Sequence, residues 1–174
     1  MAIQFETDYN METLTAMARG LRKTVRRKRS RRVHIFAAVV LILGLLTILA
    51  TTAGGEPLGA SGVVTLLALL VLILVSLFED RLNAWFAKKR LLPGTEHAAA
   101  TFEEDGYVSA TSMSESKFSY AQIVAVAETA RYFVFALSSH HTQAYDKRNI
   151  RGGSVEDFRA FIAEKTGRPV EDIK

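Results

Sequence analysis

Two uncharged apolar runs dominate the pattern of hydrophobic and polar positions along the chain. Residues 33–53 are 21 positions without Asp, Glu, Lys or Arg, and the one histidine among them, His34, sits at the edge. A helix of that length rises about 30 Å, the thickness of a bilayer hydrocarbon core. A second run, residues 59–78, is about as long, and residues 54–58 between them (GGEPL) are rich in turn formers. In hydrocarbon every backbone N–H and C=O must bond within its own helix, so the pair predicts a transmembrane helical hairpin. The flanking segments are too small to wrap two such helices, which argues against a buried hairpin of a soluble protein.

The pattern changes on either side. Ala2 to Thr7 alternates, with Ile3 and Phe5 on one side, and predicts a short strand within residues 1–9. Asn10 is a suitable N-cap for a basic juxtamembrane helix over 10–32, whose apolar stripe is Leu14, Ala18, Leu21 and Val25. This helix is expected to run unbroken into the first span. After Phe78 the helical spacing of Leu82, Trp85 and Phe86 predicts an extension over 79–94, closed by Leu92-Pro93-Gly94.

From residue 95 the period becomes two. Residues 97–103 and 107–114 flank Glu104-Asp105-Gly106 and predict a β-hairpin. Lys117 to Tyr120 reads as a third strand, Ile123 to Glu128 and Tyr132 to Leu137 as a second hairpin, and Thr142 to Asp146 as a last strand. After a KRNIRGG loop, Ser154 opens a capping-box-like start. Val155, Phe158, Phe161 and Ile162 form the buried face of a helix that ends near Gly167-Arg168-Pro169. The expectation is a small α+β domain over 95–174, an antiparallel sheet of five or six short strands closed by a C-terminal helix. Such a domain has a marginal core, so the residue 2–7 strand is expected to add to its sheet.

Charge orients the hairpin. Residues 1–32 carry nine basic and three acidic residues, and residues 95–174 carry nine and twelve. The basic excess therefore belongs to the membrane flank and does not point to nucleic acid, since no aromatics interleave it for base stacking. Basic residues precede the first span and follow the second (Arg81, Lys88, Lys89, Arg90), whereas the loop holds only Glu56. Both termini are expected in the cytoplasm, with the loop at 54–58 on the outer side of the membrane. No cleavable signal peptide is expected, because the apolar run starts only at Val33. The chain has no cysteine, so disulfide and thiolate chemistry are absent.

Candidate chemistry is thin. Arg22, Lys23, Arg26, Arg27, Lys28, Arg29, Arg31 and Arg32 set topology and are candidates for binding anionic headgroups. Lys147, Arg148 and Arg151, in the loop before the last helix, are candidates for anion binding at a helix N-terminus. Trp85 and Phe86 fit an aromatic belt at headgroup depth, or packing against the soluble domain. The spans hold no ionisable group that would support an ion path. No P-loop, dinucleotide fingerprint or nucleophile elbow appears, and His140-His141 with Asp146 lacks metal-ligand spacing, so neither metal nor cofactor is expected.

The layout, with Phe102-Glu103-Glu104-Asp105-Gly106, Tyr120-Ala121-Gln122-Ile123 and residues 154–162, resembles the YcxB-like family of small bacterial membrane proteins. The C-terminal domain of that family is similar to bacterial pleckstrin-homology-like domains, and the resemblance implies that fold and an address at the membrane. It implies no catalytic residue. The resulting expectation is a non-enzymatic membrane protein presenting a pleckstrin-like domain to lipid headgroups or a partner protein. The alternative is an immunity protein against a membrane-active toxin. A homo-oligomer is compatible with either.

Overall fold

A computed structural model describes residues 2–55, 57 and 59–173. Glu56 and Leu58 of the predicted loop lie outside the described residues. In chain order come β1 (Ile3–Asp8), α1 (Met11–Lys23), α2 (Arg27–Ala53), α3 (Ala60–Leu77) and α4 (Glu79–Lys89). Then follow β2 (His97–Phe102), β3 (Tyr107–Thr111), β4 (Glu115–Phe118), β5 (Ala125–Glu128), β6 (Tyr132–Ala136), β7 (Thr142–Asp146) and β8 (Ile150–Arg151). The chain closes with α5 (Val155–Thr166) and β9 (Val170–Asp172).

The unbroken N-terminal helix expected from sequence is two helices. Thr24 leaves helical geometry (φ −106°, ψ −94°), and both its N–H and its hydroxyl bond back to the Gly20 carbonyl. Thr24 and Val25 are β-branched, and a threonine hydroxyl that competes for the carbonyl four residues back favours a bend. Val25, expected on the apolar stripe, is consequently exposed, and the stripe ends at Leu21. The break frees α1 to lie on the sheet domain while α2 departs from it. Beyond the second apolar helix the chain is helical again in α4, which ends at Lys89, short of the expected 94. Phe78 is the joint, bonding back to Leu74 and accepting from Leu82, each at 2.9 Å.

The expected single sheet is instead two, ordered β4-β3-β2-β1-β8 and β7-β6-β5-β9. Part of the KRNIRGG segment, expected as loop, forms β8 against β1. The tail after Pro169 forms β9, parallel to β5. Strands of two and three residues carry no readable period, so only their partners define them. β1 pairs all six of its residues with β2 and lies inside its sheet, between β2 and β8.

The two sheets face one another across an aromatic core. Phe5 and Phe102 from the first meet Phe133, Phe135 and Tyr145 from the second, and Phe158 of α5 plugs the end. The Phe158 ring lies 4.6 Å from Phe5 and 4.8 Å from Phe102, both edge to face. β6 is buried at all five positions because both its faces are covered. Phe133 and Phe135 enter the core, while Tyr132 and Val134 pack with Ala16 and Met17 of α1. Gly20 permits that approach, since a Cβ there would fall 2.7 Å from Val134 Cγ1. α1 thus forms a third layer, with α4 packed along it.

The apolar pair α2 and α3 is packed almost nowhere else. Ala37 is the one buried residue on α2 and none is buried on α3, among the described residues. Leu69 of α3 sits over Gly44 of α2, where a Cβ would come within 2.8 Å of the leucine Cδ2. Both helices are long and apolar enough to cross a membrane.

Candidate functional site

The residues most able to act on a partner collect where α1, α2 and α4 meet the sheets. The start of α1 is fixed by Asn10, whose side chain accepts from the Glu12 and Thr13 N–H groups, and by the Thr13 hydroxyl, which donates to the Asp8 carbonyl at 2.6 Å. Its end is fixed by Arg22. That guanidinium grips Asp80 through two bonds of 2.7 Å, and Arg19 adds a 3.6 Å contact to the same carboxylate. A planar fork against a carboxylate sets orientation as well as distance. Glu79 is shared by Arg22 at 3.8 Å and His34 at 3.6 Å. Arg26 Nε donates to the Ser139 carbonyl at 2.7 Å, tying the helix break to the β6–β7 turn. At the other end Arg131 joins Glu12 to Asp146.

Three clefts surround this joint. One of about 700 Å³ lies between α1, the first turns of α2, α4 and the β6–β7 turn, with Leu21 and Phe86 in its apolar lining and Arg26, Arg29 and Arg90 on its rim. A second, about 450 Å³, places Lys23, Arg27 and Arg31 opposite Glu171 and Asp172. The third, about 970 Å³, has Arg19, Arg81 and Arg131 set against Glu12 and Asp172, so most of its charge is offset.

The basic residues singled out from sequence therefore divide by use. Arg22 is committed to Asp80. Arg26 and Arg29 line the junction cleft, and Lys28 and Arg32 project from α2 as exposed positions. Lys147, Arg148 and Arg151 are each held by a carboxylate: Glu128 at 2.8 Å, Asp146 at 3.1 Å and Glu6 at 3.3 Å. The α5 N-terminus is capped by its own Ser154 and Asp157, each side chain bonding the other's backbone N–H. Trp85 and Phe86 are 44% and 51% exposed, stacked edge to face at 4.9 Å, with Lys89 Nζ 3.7 Å above the indole.

Asp80, Asn83 and Arg90 escaped the sequence reading as site residues. The signal for Asp80 was an acidic pair directly after an apolar run, but its partner lies 58 positions away. Glu128 escaped as well. It is 8% exposed and bonded by Lys147 and by Arg159, whose Nε and Nη2 donate at 2.6 and 2.7 Å. The Arg159 contact above all holds its carboxyl below the ordinary value, against the opposing effect of burial.

The buried polar groups are structural. Tyr107 and Tyr145 both donate to Gln143 Oε1, at 2.8 and 2.7 Å. Burial pushes the Tyr9 hydroxyl up to about 12, far from acid–base work at neutral pH. Among the described residues no buried side-chain nitrogen or oxygen lacks a partner, and no group of three His, Asp or Glu is placed to hold a metal. Ser139 and His140 contact each other at 2.7 Å on an exposed turn.

The segment that builds the core from β2 through α5 also carries the likeness to known proteins. Residues 102–162 match the YcxB-like protein family. The YcxB-like stretch contains all three sequence strings noted above, the β2–β3 turn, the Tyr120–Gln122 turn and the start of α5. No curated protein and no solved structure matches the chain.

Proposed function

We propose that this is a non-enzymatic integral membrane protein of the bacterial cytoplasmic membrane, whose hairpin α2–α3 holds a pleckstrin-like domain at the cytoplasmic face. The observation that carries the reading is the unpartnered apolar surface of α2 and α3, on which Ala37 alone is buried among the described residues. An apolar surface of that extent on a soluble monomer would drive aggregation, whereas lipid covers it at no cost. Orientation follows from the bases at the α2 start and the α4 end, with Arg27, Lys28, Arg31 and Arg32 on one side and Lys88, Lys89 and Arg90 on the other. Two facing sheets with a C-terminal helix plugging one end support the pleckstrin-like reading. The exposed bases of α2 then lie at the anionic leaflet, each contributing about 1 kcal/mol of attraction near the surface.

The domain's role in this reading is recognition at the membrane, of lipid headgroups or of a protein partner. α1 makes it a rigid fixture, since one face of α1 grips β6 and its end grips Asp80 of α4. Extraction of isolated membranes with alkaline carbonate tests the anchoring. The full chain is expected to stay in the membrane pellet, and release into the supernatant would contradict integral insertion.

A further inference from the structure

We propose that the cleft at the junction of α1, α2 and α4 binds one anionic glycerophospholipid of the cytoplasmic leaflet, an inference that rests on the membrane-spanning reading. The rim is cationic and largely uncompensated. Arg29 and Arg90 have no partner among the described residues, and Arg26 spends a single N–H on a neutral carbonyl, that of Ser139. The one carboxylate in the wall, Glu79, is already shared by Arg22 and His34. Three guanidiniums around one opening match a phosphate, which accepts several N–H donors at once.

Apolar side chains line the cleft as well: Leu14, Met17 and Leu21 of α1, with Val33 and Phe86. A soluble phosphate compound would gain nothing from those apolar side chains, and bulk attraction of lipid by charge would need no cleft. An amphiphile uses both. Depth agrees, because Val33 begins the uncharged run of α2 and Phe86 directly follows Trp85 of the exposed Trp85–Lys89 pair. The volume of about 700 Å³ falls in the range of small-ligand sites and holds a headgroup, glycerol and the first part of a chain.

The test is native mass spectrometry of the full chain released from nanodiscs of phosphatidylglycerol and phosphatidylethanolamine. The parent chain is expected to retain one phosphatidylglycerol. R29Q/R90Q is expected to lower that occupancy about tenfold, whereas K28Q/R32Q removes equal charge outside the cleft and should leave it unchanged. Ala87 of α4 also lines the cleft, so A87W, which puts an indole there and keeps every charge, should also lose the lipid. Circular dichroism melts establish that each variant is folded. Equal loss in both double variants, or full retention in R29Q/R90Q and A87W, would overturn the proposal while leaving the anchor intact. Failure of the parent chain to enter nanodiscs would overturn the membrane reading instead.

Discussion

Residues 95–174 expressed alone are expected to show no cooperative unfolding transition, because the strand that completes their sheet is made 90 residues earlier. β1 supplies the full six-residue register against β2 and, among the described residues, the only ladder for β8. Phe5 sits at the centre of the core, with ring contacts to Phe102 at 5.8 Å, Tyr145 at 5.6 Å and Phe158 at 4.6 Å. Thr7 Oγ1 accepts the buried Asp146 N–H at 3.1 Å. Truncating one such phenylalanine to alanine costs about 3–5 kcal/mol, a large part of the roughly 5–15 kcal/mol that holds a domain folded. Deleting the strand removes more, since it also opens the β2 edge. Loss of α1 in the same fragment uncovers Val134 and Tyr132 on the far face of β6. Amide NMR spectra should be poorly dispersed. Dispersed resonances with a single sharp melt from 95–174 would show that the N-terminal strand is dispensable.

Glu128→Gln is expected to destabilise the full chain in detergent by about 2–3 kcal/mol at neutral pH, less than a fully buried pair because Arg159 is 41% exposed. The substitution leaves Lys147, whose side chain is only 13% exposed beside Phe133, without its anion. The pH dependence carries a definite sign. Arg159 and Lys147 hold the folded Glu128 carboxyl below its ordinary 4.5. The unfolded chain therefore takes up the proton first as pH falls. The stabilisation is complete above about 4.5 and is lost as pH drops through the lower, folded value. Thermal melts across the acid range should show a steeper decline for the parent chain than for E128Q. Equal midpoints at neutral pH, or parallel acid limbs, would contradict this assignment.

How much of this was legible in sequence depended on whether the determinant was local. The β2–β3 hairpin announced itself through alternation and Asp105-Gly106, and α5 through Ser154, Asp157 and the Phe158–Ile162 face. The β1 strand was readable because Ile3 and Phe5 alternate with polar neighbours, although its place inside the sheet was not. Division into two sheets was hidden, since no local pattern shows that β4 and β5 part company instead of pairing, and the edge strands β8 and β9 are too short to show a period. The Thr24 break was hidden because the basic stripe reads through it, and only the demand that α1 cover β6 reveals why the chain turns. The candidate site divided in the same way. Clustered bases on α2 are plain in sequence. That Arg22 belongs to Asp80, and Lys147 to Glu128, required the fold to bring together residues 58 and 19 positions apart. What remains without a carboxylate after those pairings, Arg26, Arg29 and Arg90, is what gives the junction cleft its charge.

The central claim is that α2 and α3 cross the membrane and leave the sheet domain on the cytoplasmic side. Since the chain has no cysteine, single cysteines report position without background. Ser61→Cys, exposed at the start of α3, and Glu115→Cys, exposed on β4, are the two probes, labelled with a membrane-impermeant maleimide in intact cells. The account predicts that position 61 reacts at once and that position 115 reacts only after the membrane is permeabilised. Labelling of position 115 in intact cells, with position 61 protected, would contradict it.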